Sequence, residues 1–368
     1  MKILLLLILS SIYQNIFASN IAIAEQFNTH PLLVYCFDEG QWINNCHDTE
    51  NTAPGHYDYL FKGLNDSIAF GFNHETATLV TACKNDEETT WYNCSPDEAY
   101  GYFSSASMNN HDEFLIIGNG AEGELLATCL SANQEWQNCS PSQNTQGFYT
   151  KGAVSFGNQQ WMVLSGTRDW INGQTIIPAF CLQEKNKTWQ QCDVIINDPD
   201  QSQYHSIFAF NALQYLPKEN LWLAVGMGGK NLFKSICKHD NDLFWHDCTD
   251  SEFPSVGVQS LVQNAKGDLI QINVVSHFTP DDYLLSSQIL CRKSNQSWQD
   301  CSYNIKNQMS DIYVGATFDE LQQKWLLIGN HYENNQTTFL TATQSENDWQ
   351  VQRQMMIDHE ASFLTDLL

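Results

Sequence analysis

The stretch CRKSNQSWQDC, Cys291 to Cys301, recurs along the chain with the same punctuation: a cysteine, a polar run, a Trp, a second cysteine. The copies are CKNDEETTWYNC (Cys83–Cys94), CLSANQEWQNC (Cys129–Cys139), CLQEKNKTWQQC (Cys181–Cys192) and CKHDNDLFWHDC (Cys237–Cys248). CFDEGQWINNC (Cys36–Cys46) is a looser copy, its Trp one residue further from the closing cysteine. A seventh, ATQSENDWQVQ, keeps Trp349 but has Ala342 and Gln352 where the cysteines would fall. All 12 cysteines belong to this set. The marker residues Trp42, Trp91, Trp136, Trp189, Trp245, Trp298 and Trp349 recur roughly every 50 residues, the length of a four-stranded propeller blade. The chain therefore reads as all-β, a seven-bladed β-propeller of four-stranded blades. A six-bladed ring with a separate terminal hairpin is the alternative.

Each repeat supports four short strands rich in Val, Ile, Thr and aromatics, bounded by Asn, Gly, Glu and Gln. In the last full repeat these are DIYVGATF, KWLLIGNH, TTFLTATQ and DWQVQR, labelled A to D from the axis outward. The N-terminal IAIAEQ, PLLVYC and QWINNC match strands B, C and D and lack only an A strand. HEASFLTDLL at the C-terminus resembles an A strand. Pairing the two ends would close the ring and remove both free sheet edges.

Joint loss of both cysteines from one repeat predicts pairing within each repeat: Cys36–Cys46, Cys83–Cys94, Cys129–Cys139, Cys181–Cys192, Cys237–Cys248 and Cys291–Cys301. Opposed positions on a C–D hairpin would bring Cα atoms about 5.5 Å apart. Short CxxC spacing, the mark of a zinc site, is missing. MKILLLLILSSIYQNIFA reads as a signal peptide, residues 1–18, leaving a single propeller domain at 19–368. Six disulfides behind a signal imply a secreted or periplasmic protein. No other apolar run approaches the length of a membrane span.

With 42 acidic against 17 basic residues, the net charge of −25 argues for solubility and against nucleic-acid or anionic-lipid partners, which need clustered Lys and Arg. A monomer is expected. NDPDQS and HDND read as solvated turns, with Ca²⁺ the alternative and no other metal or cofactor expected. Sequons stand at Asn65, Asn93, Asn138, Asn186, Asn295 and Asn335.

The C–D turns, as in SNQSWQDC, SENDWQ and CFDEGQW, resemble the Asp-box (BNR) turn of sialidase-type propellers, Ser-x-Asp-x-Gly-x-x-Trp. The resemblance implies a fold, since Asp boxes lie away from the active site. Sialidases hold the substrate carboxylate with three arginines from different blades. Here the arginines are Arg168, Arg292 and Arg353; Arg292 follows Cys291 and Arg353 follows the last D strand, so both should be peripheral.

A ligand site is expected at one mouth of the channel, where chains enter strand A and where B turns into C. The entries carry Tyr57, Tyr59, Tyr100, Tyr102, Phe148, Tyr149, Tyr204, His205 and Tyr313. Such rings either grip sugars or a peptide, or fill the channel wall. The fourth repeat has a long B–C loop, SGTRDWINGQT, whose Arg168 and Trp170 form a recognition patch or fold over the loop beside Asp169. The sixth has a similar insertion with His277, Phe278, Asp281 and Asp282. These features point to a non-catalytic binding module for a glycan or a protein surface. The alternative is a glycoside hydrolase or lyase using Asp58, Asp311 and Glu360 as acid and base. No HExxH, GxSxG or P-loop pattern occurs.

Overall fold

The computed structural model describes residues 20–26, 32–38, 41–44, 46–62, 66–85, 88–97, 99–142, 153–164, 169–171, 174–197, 207–228, 232–249, 252–278, 283–294, 296–302, 311–319, 323–333, 336–345, 348–355 and 361–367. Its named elements are all strands, gathered in seven sheets. Blade 2 shows the plan: A is His56–Lys62, B Asp66–Asn73, C Thr78–Asn85 and D Thr90–Asn93, each antiparallel to the next. Blades 3 to 7 begin at Tyr102–Met108, Ala153–Gly157, Ile207–Leu216, Gly257–Gln263 and Asp311–Asp319. Blade 1 joins the chain ends: Ala361–Leu367 pairs with Asn20–Gln26, followed by Leu33–Asp38 and Gln41–Asn44. The expected signal, residues 1–18, lies outside the described residues.

Two blades carry a fifth strand that the repeat pattern does not announce. Asp48–Asn51 lies parallel to the outer strand of blade 2. In blade 4, Asp169–Ile171 pairs with Gln174–Gln183, so part of the expected loop SGTRDWINGQT is a hairpin strand.

A blade alone leaves both faces of its sheet wet, so the apolar core must form between blades. Seven hydrophobic clusters do this, one at each junction of consecutive blades. At six junctions the disulfide of one blade meets the marker Trp of the next: Trp91 with Cys36 and Cys46, Trp136 with Cys83 and Cys94, Trp189 with Cys129 and Cys139. Trp245, Trp298 and Trp349 likewise meet the disulfides of blades 4, 5 and 6. Three indoles also donate to that neighbour: Trp136 Nε1 to the Cys94 carbonyl, Trp189 Nε1 to the Cys139 carbonyl, and Trp245 Nε1 to Asp193 Oδ2 at 2.9 Å. Cysteines and Trp repeat together because six of the seven marker Trp residues pack on the preceding blade's sulfur bridge.

All six disulfides pair as the sequence predicts, with Cα atoms 5.6–5.9 Å apart. Their geometry differs from the expected one. Cys129 lies directly opposite Gln137, two residues short of Cys139, so the bridge is diagonal. The second cysteine's N–H instead reaches the carbonyl two residues before the first, as from Cys139 to Ala127 at 3.0 Å. An Asx turn then closes the blade. Asn138 Oδ1 accepts from Ser140 N, and Ser140 Oγ caps strand C at Ala127. Asn93–Ser95, Asp247–Thr249 and Asp300–Ser302 repeat the turn. The sequons at Asn93 and Asn138 are therefore part of the repeat's hydrogen bonding.

Candidate functional site

Strand A carries a repeated irregularity that places the site. In blade 2, Tyr57 pairs with Gly71 and Tyr59 with Phe70, so Asp58 is a bulged residue with no partner across the sheet. Ser104, Asn211, Gln259 and Val314 are skipped at the same level in blades 3, 5, 6 and 7. The bulge needs a close backbone approach: a Cβ on Gly71 would sit 1.7 Å from the His56 carbonyl oxygen. The residue before the bulge is core in all five blades: Tyr57, Phe103, Phe210, Val258 and Tyr313 are buried. The glycines in FGF, IIGN, AVGM and LIGN were the sequence signal for this, alongside the aromatics.

First strands of successive blades touch one another around most of the ring. Between blades 2 and 3 the first strand of blade 3 instead meets the second and third strands of blade 2. Here a line of rings runs from the strand-A entry of blade 2 to that of blade 3. His56 and His74 meet edge to face at 4.7 Å, His74 meets Phe72 at 5.1 Å, and Phe72 meets Tyr102 at 4.6 Å. Tyr102 is 58 % exposed and Tyr100 65 %. Gly101 separates them with a φ of 135°, and a Cβ there would strike the Leu126 side chain at 2.3 Å. Asp58 lies beside the two histidines. Burial pushes its carboxyl above the usual range, and the histidines hold it back only in part.

Beyond Tyr100 a groove of about 960 Å³ runs between the blades. It is walled by Ser95, Pro96, Asp97, Ala99 and Tyr100 and by the outer strands of blade 3, with Trp136 on its side.

The remaining candidates separate. Tyr59 stacks on Phe70 at 4.8 Å and packs into the junction core. Tyr313 is fully buried in the core between blades 6 and 7, so it is no mouth residue: its place before the bulge turns it inward. Asp311 is also fully buried, its Oδ1 2.7 Å from His331 Nδ1. Asp58 and Asp311 belong to blades 2 and 7, with blade 1 between them in the ring. Tyr149, Arg168, Tyr204, His205 and Glu360 lie outside the described residues, and of Trp170 only the strand is described. Arg292 is held by Glu219 at 2.9 Å. Among the described residues the one grouping of metal-ligand types is Cys36, Cys46 and His47, whose sulfurs are already bonded to each other. No described helix is long and apolar enough to cross a membrane.

No family model and no curated protein sequence matches the chain. Solved structures do. A candidate 6-phosphogluconolactonase from Bacteroides uniformis ATCC 8492 aligns over 95 % of this chain and 99 % of its own, at 10 % identity and a TM-score of 0.60. A protein from Lactobacillus plantarum aligns over 95 % and 98 %, at 8 % identity and 0.57. The SapL1 lectin, solved with alpha methyl fucoside, aligns over 93 % and 97 %, at 10 % identity and 0.48. At such identities the likeness is one of fold.

Proposed function

We propose that this protein is a secreted, non-catalytic binding module, a monomer whose channel mouth grips a glycan or a protein surface. The observation that carries the reading is the pair of exposed tyrosines, Tyr100 and Tyr102, with Tyr102 backed by the buried Phe72 ring and through it by His74 and His56. Exposed aromatics backed by a rigid sheet offer large apolar faces at little entropic cost, with polar edges for hydrogen bonds. Six disulfides suit an oxidising compartment.

The hydrolase or lyase reading keeps one favourable observation, the raised carboxyl of Asp58, which suits a general acid. Against it, Asp311 is committed to His331. A glycan array and a pull-down with folded protein, each repeated with Tyr102→Ala, test the binding reading. Signal that falls with the variant supports it, and blank results in both overturn it. Turnover of a glycoside panel that disappears in Asp58→Asn would favour the enzyme instead.

A further inference from the structure

The groove between blades 2 and 3 shares Tyr100 with the mouth and adds polar groups that the mouth does not use. Its volume, about 960 Å³, suits an organic ligand rather than a water or an ion. Asp97, Glu135, Gln137 and Asn138 line it with Tyr100 and Trp136. No Lys, Arg or His is among the lining residues. Among the described residues, neither the Asp97 nor the Glu135 carboxylate has an ion-pair partner. Both are exposed. The walls are set in advance. Trp136 is fixed by its indole bond to the Cys94 carbonyl. The connecting segment is stitched to blade 2 by Leu79 N to Ala99 O at 2.9 Å and Gly101 N to Ala77 O at 3.1 Å.

We infer that this groove binds an amine-bearing saccharide, a chain of de-N-acetylated hexosamine units. The inference rests on the glycan-binding reading and names the ligand class and the place. A pyranose ring presents a C–H face that stacks on an exposed tyrosine, and hydroxyls that pair with side-chain amides. Its ammonium group answers two unpaired carboxylates and the π face of an aromatic wall. A chain of net charge −25 also draws cations toward the groove.

Calorimetric titration of the full protein with glucosamine tetramer, N-acetylglucosamine tetramer and tetralysine, at low and moderate salt, tests it. The glucosamine oligomer should bind at least about tenfold tighter than either control, the size of one lost charge or cation–π contact. Tyr100→Ala and the double variant Asp97→Asn/Glu135→Gln should each weaken it by about the same factor, with the thermal midpoint unchanged. Equal binding of the acetylated oligomer overturns the amine, equal binding of tetralysine overturns the sugar, and binding indifferent to both variants overturns the groove. Array signal that depends on Tyr102 but not Tyr100 leaves the binding reading standing and removes this inference alone.

Discussion

Six junctions of the ring are sealed by an indole on a disulfide, and the junction of blade 7 with blade 1 is sealed without sulfur. At the six, the C–D hairpin that receives the Trp is cross-linked. At the seventh, Trp42 packs with Leu326 and Ile328 and donates from Nε1 to Thr341 Oγ1 at 2.6 Å. The two chain ends pair within blade 1, on one side of that junction. Here the indole hydrogen bond stands without the covalent clamp that accompanies the Trp at the other six junctions. The Trp is the invariant part of the joint, and its partner is what varies.

The largest effect should come from removing the clamps. Each loop of about ten residues contributes roughly 2–3 kcal/mol in the chain-entropy model. Reduction of all six should unfold the ring at moderate temperature, seen as a collapse of near-ultraviolet dichroism. Unchanged melting in reductant would show that the indole packing suffices at every junction.

The next effect adds what the seventh junction lacks. In blades 2, 3, 5 and 6 the first cysteine pairs with Ile68, Leu115, Leu223 or Ile270, three residues before the position that faces the last residue ahead of the A-strand bulge. In blade 7 that position is Leu326, and it pairs with Thr343. Thr343, not Ala342, thus occupies the cysteine's place, while Ala342 belongs to the core on the blade 6 side. Gln352 lies opposite Thr341, two before Thr343, which matches the diagonal of the native bridges. Thr343→Cys/Gln352→Cys should form a seventh disulfide and raise stability by about 2–3 kcal/mol. Ala342→Cys/Gln352→Cys should leave both thiols titratable with Ellman's reagent.

Thr341→Val tests the hydrogen bond itself. It leaves the buried Trp42 indole N–H without its acceptor and should cost about 1–2 kcal/mol in denaturant unfolding, more than Thr→Val at an exposed strand position. A null result would mean that the apolar cluster alone holds the closing junction.

The smallest effect lies at the mouth, away from any rim clamp. Asp58 has a folded-state carboxyl raised above its unfolded value by burial. Its contribution is fully present below the unfolded pKa and is lost as pH rises through the folded one. Asp58→Asn should flatten the stability profile from the ordinary carboxylate range upward and stabilise the fold at neutral pH. An unchanged profile would place the charged carboxylate in better solvation than its burial implies.

Much of the site stayed illegible for a stated reason. Tyr102 and Tyr313 read alike in sequence, an aromatic at a strand-A entry. One precedes the pre-bulge position and is exposed; the other occupies it and is buried. The extra residue of a bulge shifts the two-residue alternation, and no count along one strand shows where the shift falls. The groove was equally hidden, because Asp97, Tyr100 and Glu135 come from segments that meet only when blade 3 leans on blade 2.

The sequence by itself determined the blade number, the all-β class and the disulfide partners. Those follow from periodicity and from two cysteines lost together, and both are properties of one repeat. Only the tertiary structure decided the diagonal of the bridges, the Trp-on-disulfide joint, the true cysteine position in blade 7 and the gathering of rings at one junction. Each of these depends on hydrogen-bond register or on contact between blades, and turn lengths that vary by a residue leave register undefined until the strands pair.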